Sequence, residues 1–124
     1  MGDYKKYYIV PAPPEDVYLA LTNANTIHLW SGEEAVMSDV PHSEFSLWEG
    51  SITGRNIAFT PNHKIVQEWY FGERENPSVV SITLHAHKQG TSVLLQHTNI
   101  PDEDYADITS GWDDVYFASL IDFY

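Results

Sequence analysis

Histidine is the residue type in this sequence best suited to binding a metal or moving a proton, and it occurs six times. His85 and His87 lie two positions apart in a β-rich segment, so their side chains would share one face of a strand. A zinc site needs three or four converging ligands, and no third candidate follows at a fixed offset. The pair therefore predicts a solvated strand surface, and we expect no metal ion and no other cofactor.

Nucleophilic and acid–base catalysis have equally little support. Ser31 and Ser110 each precede a glycine, but neither lies in the G-x-S-x-G pattern of a nucleophile elbow. Acidic pairs such as Asp113 and Asp114 are adjacent in sequence, so their side chains would diverge on a helix. His97 and Glu68 are the remaining acid–base candidates. A non-enzymatic role is therefore favoured.

Three polar residues interrupt strand segments that are otherwise apolar on one face. Alternation places Asn56, Gln67 and His97 on the apolar faces of their strands. Each could meet a local hydrogen-bond partner, as buried polar groups usually do. Alternatively, the three converge on an apolar wall and hold a small molecule beneath Trp112 and Tyr116. The residues expected to line such a cavity are Phe45, Leu47, Asn56, Gln67, Trp69, Phe71, Ile82, Leu84, Leu95, His97, Trp112 and Tyr116.

The elements that position these residues follow from the hydrophobic period. A short strand at 4–10 precedes a helix that Pro13 and Pro14 open, and a second short helix ends at Gly32. From residue 34 the period becomes two, which predicts strands at 34–38, 44–48, 52–60, 64–71, 78–87 and 92–98. The connections, including one at 72–77, are too short for parallel crossovers, so consecutive strands must pair antiparallel.

The segment from residue 102 to residue 124 predicts one long amphipathic helix. Acidic residues fill its first turn after Pro101, and apolar residues recur at three- and four-residue steps. Gly111 predicts a close packing contact or a slight bend. The apolar stripe consists of Tyr105, Ile108, Trp112, Val115, Tyr116, Leu120 and Phe123.

The order of elements predicts a single α+β domain over residues 1–124. In this domain a curved antiparallel sheet of six to seven strands wraps around the long C-terminal helix, and two short helices follow the first strand.

Composition excludes several classes of protein. The chain has 124 residues and no cysteine, which rules out disulfide scaffolds, thiol catalysis and cysteine-ligated zinc. Six basic residues against 18 acidic ones give a formal net charge of −12, which opposes binding to nucleic acid or to an anionic membrane. No apolar run approaches the roughly 20 residues of a membrane helix, and no signal peptide is evident, so we expect a cytoplasmic protein.

Three motifs carry a family resemblance: Phe45-x-Leu47-Trp48-x-Gly50, Pro61-x-x-Lys64-Ile65-Val66-x-x-Trp69 and Gly111-Trp112-x-x-x-Tyr116-Phe117. Together they resemble the C-terminal domain of the activator of the ninety-kilodalton heat-shock chaperone ATPase. The resemblance covers nearly the whole chain and implies the helix-grip fold of the START and polyketide-cyclase-like (SRPBCC) superfamily. The second, N-terminal domain of the eukaryotic co-chaperones has no counterpart in this sequence.

Two functions stay open at this point, besides a small cyclase or lyase that uses cavity residues, which the resemblance to the polyketide-cyclase-like superfamily implies as a further alternative. In the first, the domain holds a hydrophobic or amphipathic small molecule between its sheet and its C-terminal helix. In the second, which the resemblance implies, it docks on a heat-shock chaperone. The last basic residue is Lys88, and seven acidic residues follow it, so a protein partner of the C-terminal helix should present a basic surface.

Overall fold

The computed structural model describes residues 2–71 and 77–124. These residues form one antiparallel sheet with helices packed on a single face. The elements in chain order are β1 (Gly2–Val10), α1 (Pro14–Thr22), α2 (Ala24–Ser31), β2 (Glu44–Leu47), β3 (Ile52–Thr60), β4 (Lys64–Trp69), β5 (Ser78–His87), β6 (Gly90–Ile100), α3 (Tyr105–Gly111), a π-helical segment (Trp112–Phe117) and α4 (Ala118–Phe123). We refer to residues 105–123 together as the C-terminal helix.

The six strands lie in the order β1-β6-β5-β4-β3-β2, and every neighbouring pair is antiparallel. The predicted α+β helix-grip architecture and the antiparallel pairing are thus confirmed. β1, the first strand in the chain, forms one edge of the sheet and pairs with β6, the last strand in the chain. Strands at 44–47 and 52–60 form the other end.

One prediction about the strands needs correction. The segment at 34–38 is not a strand, because it makes only an isolated bridge between Val36 and Ser46. Its partner β2 is four residues long, so little edge is available for pairing. The predicted connection at 72–77 falls on residues 72–76, which lie outside the described residues.

The two short helices form where the sequence signals predicted them. Pro13 precedes α1, Pro14 is its first residue, and Glu15 and Asp16 lie near the positive end of its dipole. Asn23 then ends α1 and caps α2 through its side chain, and Gly32 ends α2 in the left-handed conformation with φ 77°. Their apolar faces join the core beneath the sheet.

The C-terminal helix differs from the predicted regular α-helix in its middle. Val115 and Phe123 of the predicted stripe are 45% and 43% exposed, whereas Phe117, which the stripe omitted, is fully buried. An i→i+5 turn contains more residues than an α turn, so it moves the buried face along the sequence. The π-helical segment is therefore the physical reason for the shifted stripe. The regular helix also begins at Tyr105 rather than at residue 102.

Gly111 directly precedes this π-helical segment. A Cβ atom at this position would meet nothing within 4 Å, so close packing does not explain the glycine.

Candidate functional site

Three of the buried polar side chains of the sheet, Asn56, Gln67 and His97, lie in one row across four strands. Asn56 of β3 pairs with Gln67 of β4, Gln67 pairs with Val80 of β5, and Val80 pairs with His97 of β6. All four side chains are buried on the face that the helices cover. Val80 separates the row into two hydrogen-bonded groups.

The first group joins Asn56, Gln67 and Trp69. The Gln67 amide donates to Asn56 Oδ1 at 3.0 Å, and the Trp69 indole N–H donates to Gln67 Oε1 at 3.0 Å. The Asn56 amide in turn donates to the backbone oxygen of Ser38 at 3.3 Å and to the hydroxyl of Ser43 at 3.2 Å. These bonds satisfy the buried amides locally and tie the sheet to the loop that precedes β2.

The second group is centred on His97. The Trp112 indole N–H donates to His97 Nδ1 at 3.1 Å, so Nδ1 must be unprotonated and the ring proton must lie on Nε2. Nε2 lies 2.8 Å from the Ser78 hydroxyl, which itself donates to the backbone oxygen of Thr98 at 3.0 Å. His97 therefore donates to Ser78 and cannot accept its proton, so the pair is not a nucleophile with its general base.

Burial sets the charge state of His97. It lowers the pKa of His97 from 6.5 to about 4, because the apolar surroundings disfavour the imidazolium. Protonation would also place an N–H on Nδ1, opposite the Trp112 N–H. His97 is thus neutral at pH 7 and acts as a fixed acceptor for the C-terminal helix.

Aromatic rings fill the layer between the sheet and the C-terminal helix. Trp112 stacks on Trp69 with ring centroids 4.8 Å apart and lies 4.6 Å from Tyr116. Trp30 contacts Tyr116 edge-on at 5.3 Å, and Phe117 stacks on Tyr8 at 4.1 Å. Each such ring buries about 150–250 Å², so this cluster supplies much of the core.

The structure places the twelve predicted cavity residues together. All of them are buried in this layer except Phe71, which is half-buried against it. The polar residues among them form hydrogen bonds within this chain, as one of the two interpretations of the sequence expected. That a small molecule binds among them stays a prediction. Two surface hollows of about 250 Å³ each lie elsewhere, one beside the α1–α2 junction and one beside β1 and β6.

The sequence analysis missed a group of charges and hydroxyls at the end of this layer. Asp113 Oδ1 accepts from Lys6 Nζ at 2.7 Å, from the Tyr8 hydroxyl at 2.6 Å and from the Tyr4 hydroxyl at 3.3 Å. The bonds from Lys6 and Tyr8 lower the pKa of Asp113, and burial raises the pKa of Tyr8. More than 100 residues separate the helix from these strand residues, so no local pattern could have indicated the group.

The histidines outside the core form no metal site within the described part of the chain, where no cluster of three or more His, Asp or Glu residues could hold an ion. His85 is exposed, and its ring meets the ring of His63 edge-on with centroids 5.4 Å apart. His87 Nδ1 accepts from the backbone N–H of Gln89.

Comparison with known proteins decides the family. The family model described as "Activator of Hsp90 ATPase homolog 1-like protein" (AHSA1) matches residues 11–122. The chain belongs to the AHSA1 family. Its six-stranded sheet and C-terminal helix are those of the helix-grip, or SRPBCC, fold that its AHSA1-like structural neighbours share, which confirms the resemblance carried by the three motifs.

Among AHSA1-like relatives, a Dictyostelium discoideum protein named as an activator of 90 kDa heat shock protein ATPase homolog is 30% identical over 102 residues. That alignment covers 80% of this chain and 27% of the relative, so the chain spans about a quarter of that relative's length. The structure of an HSP90 activator from Plasmodium falciparum is 27% identical with a TM-score of 0.84, over 94% of this chain and 91% of that one. An Aha1 dimer from Colwellia psychrerythraea has the same fold, with 21% identity, a TM-score of 0.85 and coverage of 98% and 95%.

No helix in the described residues is long and apolar enough to cross a membrane.

Proposed function

We propose that this AHSA1 domain docks on an Hsp90-type chaperone through the outer surface of its helices. The observation that carries the proposal is the difference in charge between the helices and the sheet. The helices contain six acidic residues and no lysine or arginine. The basic residues of the described part lie on strands or on a hairpin turn: Lys5, Lys6, Arg55, Lys64 and Lys88.

This distribution favours a protein partner with a basic surface. Asp107, Asp114 and Asp122 are exposed on the C-terminal helix, and Glu15 and Asp16 are exposed on α1. The C-terminal end of the chain approaches α1, where the Tyr124 hydroxyl donates to the backbone oxygen of Asp16. The acids of α1 therefore lie near the C-terminal end of that helix. We call these five exposed acids of the two elements together the acidic helical face. Such a surface steers a basic partner and selects against an acidic one.

The names of the relatives supply the identity of the partner. The Dictyostelium and Plasmodium proteins are both named as activators of this chaperone. Since a co-chaperone of this kind works beside a cytoplasmic chaperone, the proposal also places the protein in the cytoplasm.

The first experiment is co-purification of the chain with the Hsp90-type chaperone of its own organism, followed by an ATPase assay of the mixture. We expect a complex at low ionic strength that weakens as salt is added, because screening shortens the reach of surface charges to about 8 Å at 0.15 M. We also expect a change in the chaperone's ATPase rate. No complex at low salt would contradict the proposal.

A second candidate function is the binding of a hydrophobic small molecule between the sheet and the C-terminal helix. The π-helical segment favours it, since it carries Trp112 and Tyr116 over the sheet and such segments are frequent at functional sites. Mass spectrometry of the purified protein, combined with a thermal-shift screen of apolar ligands, tests it. A species that co-purifies and raises the melting temperature would support it, and the absence of both would count against it.

A further inference from the structure

A hollow with a largely polar lining lies beside the α1–α2 junction, on the helical side of the molecule. It has a volume of about 250 Å³ and lies between the end of α1, the start of α2 and the loop after α2. Leu19, Asn23 and Asn25 line one side, and Met37, Ser38 and Asp39 line the other. Drug-sized ligands occupy pockets of about 300–1,000 Å³, so this hollow is of a size for one long side chain.

Hydrogen bonds hold both walls of the hollow in place. The Asn23 backbone N–H donates to the oxygen of Leu19 at 3.0 Å, and its side chain accepts from the Thr26 N–H at 3.0 Å. Opposite, the buried Asn56 amide donates to the Ser38 oxygen, and the Ser38 hydroxyl accepts from the Val40 N–H at 3.2 Å. A site built on such fixed groups loses little freedom when it binds.

Asp39 gives the hollow its charge. It is the one ionisable residue in the lining, it is exposed, and its carboxylate makes no ion pair or hydrogen bond within residues 2–71 and 77–124. The sequence has no lysine or arginine between Lys6 and Arg55 to neutralise it. α1 ends and α2 begins at Asn23, so the negative end of one helix dipole and the positive end of the other meet there and oppose each other.

The apolar part of the lining suits the stem of a long cationic side chain. Leu19 is half exposed at the rim, and Met37 is buried at the floor. Arginine and lysine place their methylene stems along apolar surfaces while the charged head reaches a polar group. A guanidinium has five N–H donors in a planar fork, which matches a carboxylate with amide and carbonyl oxygens around it.

We propose that this hollow receives the side chain of an arginine from the protein partner that the acidic helical face attracts. The inference rests on the proposed function for the identity of that partner. It adds the place where the partner is anchored and the residue type that anchors it. Asp39 binds the guanidinium, and Leu19 covers the stem.

The direct test is a titration of the 15N-labelled full chain with the blocked tripeptide Gly-Arg-Gly, followed by amide NMR shifts. We expect shifts concentrated at Asn23, Asn25, Ser38 and Asp39, with millimolar affinity, since one exposed ion pair contributes little on its own. The same tripeptide with citrulline in place of arginine, which removes the charge and keeps the shape, should cause much smaller shifts.

Two variants that lose the same charge make the test specific. Asp39→Asn should weaken the arginine peptide about two- to fivefold, because it removes the only carboxylate that the described residues contribute to the hollow. Glu44→Gln, on the other side of the sheet, should leave the affinity unchanged. Equal shifts with the citrulline peptide, or equal affinity in Asp39→Asn and Glu44→Gln, would overturn the proposal.

The same two variants separate this inference from the proposed function. If the chaperone binds and Asp39→Asn weakens it roughly tenfold relative to Glu44→Gln, both proposals are supported. If the chaperone binds both variants equally, the arginine anchor is wrong and the docking function stands. If the arginine peptide binds the hollow but no chaperone binds the chain, the docking function is wrong and the site remains.

Discussion

At the scale of single residues, the buried polar groups of the sheet act as structural connections between layers. His97 accepts from Trp112 of the C-terminal helix, and Asn56 donates to the loop that precedes β2. Alternation predicted that Asn56, Gln67 and His97 face inward. The partners of Asn56 could not be predicted, because Ser38 and Ser43 lie 18 and 13 residues away in a loop whose path the sequence does not reveal.

The lowered pKa of His97 predicts a specific dependence of stability on pH. The unfolded chain takes up the proton near pH 6.5 and the folded chain only near pH 4, so this contribution is complete above pH 6.5 and is lost as pH falls towards 4. A difference of this size corresponds to about 3 kcal/mol. We therefore expect urea unfolding of the wild type to lose about 3 kcal/mol more between pH 7 and pH 4 than unfolding of His97→Gln.

The matched control is His28→Gln, since His28 is exposed on α2. Comparison with it separates the effect of the burial of His97 from the effect of losing a histidine. An unchanged slope in His97→Gln would show that His97 does not control acid stability.

Asp113 and Asp114 provide a second residue-scale test, because they are adjacent and differ in their contacts. Asp113→Asn weakens the bonds to Lys6 and to the buried Tyr8, so we expect a loss of roughly 1 kcal/mol of unfolding free energy at pH 7. Asp114 is exposed, and Asp114→Asn should change the unfolding free energy by less than about 0.5 kcal/mol. Equal effects in chemical denaturation would mean that the bonds to β1 contribute nothing.

At the scale of elements, periodicity predicted where strands and helices form, and failed where hydrogen bonding leaves the regular pattern. The predicted bounds of β2, β3, β5 and β6 lie close to the observed bounds, because each of these strands alternates and ends at a turn. The buried face of the C-terminal helix was misassigned at Val115, Phe117 and Phe123, because a sequence stripe assumes one constant period. A π turn breaks that assumption and leaves no compositional mark.

Gly111 tests this account of the C-terminal helix. Its backbone is helical, with φ −62°, and a Cβ atom there would contact nothing. Gly111→Ala should therefore stabilise the protein by about 0.5–1 kcal/mol, as alanine costs less backbone entropy in a helix. Thermal unfolding followed by circular dichroism measures the change.

Gly54→Ala is the opposite control. A Cβ atom at Gly54 would overlap the backbone oxygen of Glu68 and the ring of Phe45, so we expect a clear loss of stability. If Gly111→Ala were as destabilising as Gly54→Ala, the glycine would be needed for the π-helical segment itself.

At the scale of the whole molecule, the helices and the sheet differ in charge, so their outer surfaces favour different binding partners. The acidity of the C-terminal helix was predicted from the sequence. That α1 adds its acids near the end of this helix was not, because their position depends on the tertiary contact between Tyr124 and Asp16. The hollow beside Asp39 could not be predicted from the sequence either, because three separate segments of the chain form it. The interior, filled by stacked aromatic rings, leaves the outer surface as the part of the molecule best suited to recognition.

The affinity of the chain for the Hsp90-type chaperone of its organism, measured by calorimetry, tests this account most directly. The variant Asp107→Asn/Asp114→Asn/Asp122→Asn removes three charges from the acidic helical face, and Asp107→Glu/Asp114→Glu/Asp122→Glu keeps them. We expect the amide variant to bind roughly tenfold more weakly at low salt and the glutamate variant to bind like the wild type. Equal affinity of the two variants, or no binding of the wild type, would contradict the claim that this face docks on the chaperone.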